Sequence, residues 1–561
     1  MHKDNLPIHP GLQEEEPPSP FAKETASKVC SYLTRHYSTS KCGILILLFG
    51  ISVLVRLPNI NRPLGAHYEW VSAHILITQQ IWYEEGPLKH YFVPAMTYSG
   101  AANRNISNDA RMKNSNGQWY YTSGPPFVWI APYLFFRLIG VYPDVLPLQI
   151  FCLIVHFVCA LLIYLLVKEL ISKSSIRSWE ISAFVASAVY LFTPASLWFH
   201  CNVYSGVFLN IIFIIAGAHL FVRFLDDESG IGHYIKMGVL SFLMFYTGYF
   251  GVFFFSVMGL YAIIYCDKKA AFKLICSISV GAFLGVMLFL IQYSTIDGFR
   301  SIVEYLFGRY LFVSGTAQTT DKGLHVYDLH AWWRVLNHYE KAYGHILLFL
   351  LVLSVISISL GQGSLRIKLA RTDRRWIAVA LITVVPVLME HVVLFNYTSV
   401  HGFSVMPMLV AISIFVSLSL NSLISKLAMT RNKCDLYGNI ASILTVFSLV
   451  VVVSIGEYRH QNSNGHGLYK AIGENIAKAA KTDEVVFLDA GGLFLNTHGD
   501  IIPHIVFYAH RNVAAWHDQK TAKELIASNG MSRGILFKFL KSKGQFKLPY
   551  SYLETAEDVK R

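Results

Sequence analysis

Long runs free of Lys, Arg, Asp and Glu recur along this sequence, and they decide what the chain can fold into. They occur at Leu148–Val167, Ile181–Phe199, Val203–Val222, Leu274–Ile296, His345–Leu365, Gly402–Ser425 and Leu436–Gly456. A bilayer core about 30 Å thick takes roughly 20 apolar residues of helix. Lipid offers backbone groups no partners, so each run is expected to cross as a helix. Cys42–Leu57 is a shorter first span with Arg56 near its end, and Trp376–Phe395 is a span interrupted by Glu390 and His391. Met237–Cys266 is charge-free over 30 residues, about 45 Å of helix. That is too long for one span, and with Gly248 and Gly251 at its middle it reads as a hairpin of two short helices. Pro125–Gly140 is too short and carries Arg137, which suits a helix lying at the interface.

The basic residues test this division. With the N-terminus inside and the hairpin counted as two spans, Lys168, Lys173, Arg177, Lys268, Lys269, the Arg366–Arg375 cluster, Lys426, Arg431 and Lys433 fall on one side. Cytoplasmic loops show this excess of Lys and Arg. The reading is a polytopic α-helical membrane protein of about eleven spans with a cytoplasmic N-terminus, in the inner membrane if the cell is bacterial. Four segments then lie outside: the loops 58–147 and 297–344, the turn Asn396–His401, and the chain beyond residue 457. Only 15% of residues are charged, against about 25% in soluble domains. The net charge of +12 sits in short clusters between apolar runs, which argues against nucleic acid as a partner and for membrane lipids. The eight cysteines form no disulfide framework and no paired zinc spacing.

Residues 1–40, with Glu14, Glu15, Glu16, Pro17, Pro18 and Pro20, read as a disordered cytoplasmic tail, and 41–457 as the membrane domain. From residue 458 the composition changes. Leu468–Lys481 has helical spacing, Glu484–Leu488 reads as a strand, Ile505–Tyr508 as strand or helix, Ala522–Ala527 as a helix and Gly534–Phe539 as a strand. This alternation predicts a small α/β domain outside the membrane.

The first outer loop carries the clearest chemistry. It runs Arg56-Leu-Pro-Asn-Ile-Asn-Arg62-Pro-Leu-Gly-Ala-His67-Tyr68-Glu69-Trp70. A carboxylate at the membrane surface can meet a lipid headgroup and act as general base towards an acceptor hydroxyl. Helical spacing puts Glu69, Ala73, Leu76 and Gln80 near one face, with Trp70, His74, Ile77 and Ile81 as an adjoining apolar strip that can lie on the membrane. Glu390 and His391, near the outer end of a span, are the kind of intramembrane ionisable groups that mark function. His325, Asp328, His330, His338 and Glu340 crowd the second loop without a metal-ligand spacing.

Further motifs follow in order: Trp119-Tyr-Tyr-Thr-Ser-Gly124-Pro125-Pro126-Phe127-Val-Trp129, then Leu134-Phe-Phe-Arg137-Leu-Ile-Gly140, and late in the membrane domain Asn396-Tyr-Thr-Ser-Val-His401-Gly-Phe403-Ser-Val-Met-Pro407. Together with the Arg-Leu exit from the first span and the acidic residue beyond it, this order resembles the GT-C-fold glycosyltransferases that use polyprenyl-phosphate sugars. Within that group it resembles the protein O-mannosyltransferases and the lipid A aminoarabinose transferase. The resemblance covers the membrane domain. Three positions depart from it. Only one carboxylate stands in Glu69-Trp70, Gly124 replaces a basic residue before Pro-Pro, and Tyr246-Thr-Gly248-Tyr249 replaces a mid-domain lysine.

The resemblance implies transfer of a sugar from a polyprenyl-phosphate donor to a hydroxyl of a glycan, lipid or protein acceptor on the outer face, with inversion. It points to Glu69 as base, and in place of the missing basic residues the sequence offers Arg56, Arg111, His391 and His401 as groups for the donor phosphate. His67, Glu390 and Tyr249 would support them, in a cavity shared by Glu69, His401 and Glu390 or His391. No metal ligand set is assigned, and a divalent ion is the only cofactor left open. A transporter or flippase of lipid-linked sugar is the rival reading; it calls for internal repeats and broken midplane helices, and no repeat is found. A non-catalytic relative that binds lipid-linked sugar is the third.

Overall fold

The computed structural model describes residues 39–554, apart from 66, 109–110, 172–178, 227–229, 317–324, 360–372, 431–432, 462–466, 490, 497 and 543–544. The tail up to residue 38, Lys173, Arg177, Arg431 and most of the Arg366–Arg375 cluster lie outside the described residues.

Each expected span is a helix or a helix pair. Among the described residues, seven helices are long and apolar enough to cross a membrane: Val145–Ile171, Gly206–Leu225, Lys268–Ser314, Leu329–Ile356, Arg374–Val393, Gly402–Ile424 and Ile440–Arg459. Trp179–Phe192 and Pro194–Asn202 are the two arms of one expected span, which bends by 61° between them. The bend has a local cause. Pro194 lacks an N–H and is tolerated only in a first turn, and the Thr193 hydroxyl accepts from Ser196 N at 3.2 Å to cap the new helix. The first span is the helix Thr39–Arg56.

The long 237–266 run divides as its length requires, into Ile231–Phe245 and Phe250–Tyr265 with a turn at 246–249. The first of these packs backbone to backbone on Lys268–Ser314. A Cβ at Gly281 would stand 2.0 Å from the Gly238 carbonyl oxygen, and one at Gly285 2.8 Å from that of Phe242. Small residues let membrane helices approach this closely. Phe127–Ile139 is the short helix expected at the interface, with Leu134 and Leu138 exposed.

The segment 297–344 is bounded where expected, by breaks in helical geometry at Asp297–Gly298 and at Gly344. It is itself largely helical, over 299–314 and 329–343. Here Arg300 and Glu304 pair at 2.7 Å, one turn apart, on an exposed face.

The two ends of the bundle are identified by their contacts. Gly206 opens its helix beside the 246–249 turn and the first loop, where a Cβ would meet Val128 at 2.8 Å and the Thr247 carbonyl at 3.3 Å. The same helix ends about 30 Å away, next to Asp226, which pairs with Arg375 at 3.0 Å. Arg374 and Arg375 therefore stand at the opposite end of the bundle from the first loop.

The C-terminal region is the expected small α/β fold. Strands Val485–Asp489, Ala514–Ala515 and Arg533–Lys538 are parallel, and Tyr550–Glu554 joins Arg533–Lys538 antiparallel. Helices Gly467–Ala479, Pro503–Ala509 and Gln519–Ser528 complete it. Its core is not its own. Ala102 and Ile106 of the first loop pack with Val485, Phe487, Ile526 and Leu536. Asn512 fastens the joint: its backbone N donates to Asn103 Oδ1, its Oδ1 accepts from Tyr98 N, and its Nδ2 donates to the carbonyls of Met96 and Ile106. The first loop and the C-terminal domain thus form one folded unit.

Candidate functional site

A cavity of about 480 Å³ opens where this unit meets the membrane helices. The helix Glu69–Glu85, expected from spacing, forms one wall with Trp70, Val71, His74 and Ile75. Tyr121, Gly124, Pro125 and Trp129 form the second, and the turn Thr247–Tyr249 with Asn210 a third. Leu306, Arg309, Tyr310 and Val313 close a fourth side, and Glu390, Tyr397 and His401 the fifth. The first loop and the Asn396–His401 turn converge as expected. Tyr68 ties them, donating its hydroxyl to the Val400 carbonyl at 2.8 Å and accepting from Gly402 N at 2.9 Å.

Glu69 is the main departure. It is fully buried, but it does not line the cavity. At 100° per residue it points about 170° from the mean direction of Trp70, Val71, His74 and Ile75. Its Oε1 accepts from Arg62 Nη2 at 2.5 Å and its Oε2 from Gly65 N at 2.7 Å. Arg62 also donates to Asn59 and to the Pro63 carbonyl, and lies over the Trp198 ring. The rest of that face follows: Ala73 and Leu76 are buried, and Gln80 bonds Tyr98 and the Pro143 carbonyl. The strip expected to lie on the membrane, Trp70 with His74, is the one that faces the cavity.

Arg56 is also withdrawn. Its guanidinium is sealed in the bundle, donating to the carbonyls of Leu197, Ser196 and Ser52 and to Ser52 Oγ, with His156 Nδ1 at 2.9 Å. Ser196 and Leu197 stand near the end of the Pro194–Asn202 helix, which leaves helical geometry at His200, and Arg56 donates to their carbonyls. Arg111 and His67 do not line the cavity. His67 sits against Tyr68 and Phe199, and burial pushes it down to about 4. His391, one residue and 100° beyond Glu390, turns away to the Tyr339 hydroxyl at 2.9 Å.

Glu390, His401 and Tyr249 do reach the cavity. The His401 ring stacks on Tyr397, and its Nδ1 meets the Tyr397 carbonyl at 2.9 Å. A carbonyl only accepts, so Nδ1 carries the proton and Nε2 keeps its lone pair. Burial first, and Arg309 nearby, push His401 down to about 4, so it is neutral at physiological pH. Arg309 was not a sequence candidate. Its signal is its place at helical spacing among Leu306, Tyr310 and Val313, an arginine on an apolar face. It acts electrostatically on Tyr249, Tyr397 and His401 and forms no ion pair among the described residues. Gly124 and the 247–249 turn, where the resembled family carries basic residues, both line the same cavity. Among the described residues, no three His, Cys, Asp or Glu side chains come together as a metal site.

No protein-family model matches the sequence, and no curated protein matches it. Solved structures do. The oligosaccharyltransferase AglB from Archaeoglobus fulgidus, in complex with an inhibitory peptide and a dolichol-phosphate, aligns with a TM-score of 0.54 and 11% identity over 91% of this chain and 74% of its own. The apo form of the Archaeoglobus fulgidus oligosaccharyltransferase aligns at 0.54 and 12% identity over 88% of this chain and 69% of its own. ArnT from Cupriavidus metallidurans in the apo state aligns at 0.51 and 10% identity over 89% and 93%. The chain shares the fold of these proteins, a multi-pass membrane domain with a C-terminal soluble domain, and the GT-C resemblance read from its motifs holds at the level of the fold.

Proposed function

We propose that this protein is a membrane glycosyltransferase that takes a sugar from a polyprenyl-phosphate donor and gives it to an acceptor hydroxyl on the extracytoplasmic face, with inversion. The observation that carries this reading is the cavity's composition. A largely apolar, aromatic chamber at the outer ends of the spans holds one arginine, one carboxylate and two histidines, of which His401 is neutral. A prenyl tail needs the apolar wall along Val207, Val252 and Phe253, and a phosphodiester needs the cation. That the archaeal structure of like fold was solved with dolichol-phosphate supports the same class of ligand.

Arg309 replaces the basic residues missing at Gly124 and in the 247–249 turn. It holds the donor phosphate and stabilises charge on it as the C–O bond breaks, the electrostatic contribution that is often the largest in catalysis. His401 Nε2 and the Tyr397 hydroxyl offer neutral hydrogen-bonding groups for the sugar. Glu69 acts at one remove, holding Arg62 and the 59–69 loop so that Trp70 and His74 face the site. The Arg374–Arg375 end is cytoplasmic by the positive-inside rule, which puts the first loop and C-terminal domain outside.

Mass spectrometry of glycans and lipids from deletion cells tests the reading. Loss of one sugar modification, with its polyprenyl-phosphate donor accumulating, is expected. Unchanged glycans and lipids would refute it.

A further inference from the structure

We propose that Glu390 is the proton acceptor of the transfer step, so that the base has moved from the first loop to the end of a membrane helix. The inference rests on the transferase reading above and names the group that reading lacks once Glu69 is withdrawn. Glu390 is the only carboxylate among the described residues lining the cavity. It is 8% exposed, and its side chain makes no hydrogen bond or ion pair among those residues. The contrast with Glu69, whose two oxygens are both occupied, separates a carboxylate used for structure from one kept available.

A buried carboxylate without a cation costs several kcal/mol, and nothing in helix packing returns that cost here. Such a group inside a membrane domain marks a site of action. The titratable hydroxyls that feel it are those of Tyr339 and Tyr397. Tyr397 also feels Arg309, so the carboxylate and the cation act on one hydroxyl from separate elements. A phosphate on the Arg309 side and an acceptor hydroxyl on the Glu390 side fit that division.

The step balances. The acceptor oxygen forms a bond to the anomeric carbon as the bond from that carbon to the phosphate oxygen breaks. The phosphodiester monoanion leaves as polyprenyl phosphate dianion, and the hydroxyl proton passes to the Glu390 carboxylate and then to water.

The test uses the full chain in lipid nanodiscs, with polyprenyl-phosphate mannose, glucose and arabinose as probe donors and membranes from deletion cells as acceptor source. Glu390→Gln should lower kcat at least about 100-fold, leave the donor KM little changed, and leave the Tm near that of the wild type. Glu390→Asp should recover part of the rate, and the wild-type rate should fall in acid with one proton while the residual Glu390→Gln rate does not. Near-wild-type turnover in Glu390→Gln, or a loss confined to KM, would overturn the assignment. If the wild type turns over none of the donors, the transferase reading itself fails, and this inference with it.

Discussion

The carboxylate of Glu69 closes on the guanidinium of Arg62 at 2.5 Å, on the side of its helix turned away from the cavity that Glu390 enters. The two carboxylates therefore carry different loads. Glu69 is paired at both oxygens and fixes a loop, whereas Glu390 faces the space where a substrate can lie.

Glu69→Gln is accordingly a stability variant. Removing one partner of a buried pair leaves the other charge uncompensated, at about 3–5 kcal/mol. A lowered unfolding midpoint is expected, with turnover per folded molecule largely kept. Thermal unfolding and turnover measured on the same preparation separate the two.

Arg56→Gln should behave likewise. Its donors satisfy the buried carbonyls of Ser52, Ser196 and Leu197, so the variant loses folded protein in the membrane while the donor KM of what remains is unchanged. A selective rise in donor KM would return Arg56 to the phosphate site.

The sequence made the spans, the hairpin at 246–249 and the short helix at Glu69 legible, because hydrophobic run length and helical spacing are local properties. It did not reveal which face of that helix turns to the site. Trp70 and His74 looked like a membrane strip, and only the tertiary packing of that helix settles the direction. Arg309 was hidden because it lies beyond the break at Asp297–Gly298, in a helical stretch that the sequence presents as part of an outer loop. The joint at Asn512 links residues some four hundred apart, which no local pattern encodes.

That joint gives a further expectation. Asn512 is fully buried, and its polar groups meet four partners of the first loop. Asn512→Leu keeps the backbone bond to Asn103 but strands the other three, Tyr98 N and the carbonyls of Met96 and Ile106, at about 1–3 kcal/mol for each group left unsatisfied. Limited proteolysis should then cut the 96–106 segment, which in the wild type resists. Asn105, in the Asn105-Ile-Ser107 sequon, bonds Asn529 at 2.8 Å, so the folded protein should carry no glycan there.

Stability should fall in mild acid. Burial holds His504 down to about 3, and His67 and His401 down to about 4. Between those values and the ordinary 6.5 the unfolded chain binds more protons than the folded one, so stability rises with pH across that window. It is fully present above about pH 6.5 and is lost as the pH falls towards 4. Unfolding midpoints taken from pH 7.5 to about pH 4.5 should decline, and His504→Phe should flatten the decline if it packs.

Arg309→Gln should weaken binding of polyprenyl phosphate by roughly 10- to 100-fold, the 1.5–3 kcal/mol of a hydrogen bond to a charged group, and Arg309→Lys should recover part of it.

The most direct measurement is a cryo-EM map of the full chain with polyprenyl phosphate bound. The phosphate should lie inside the cavity within hydrogen-bonding reach of Arg309, with the tail along Val207, Val252 and Phe253 and space between the phosphate and Glu390 for a sugar. A phosphate held at Arg111 or beside the first helix, with the cavity empty, would contradict the account.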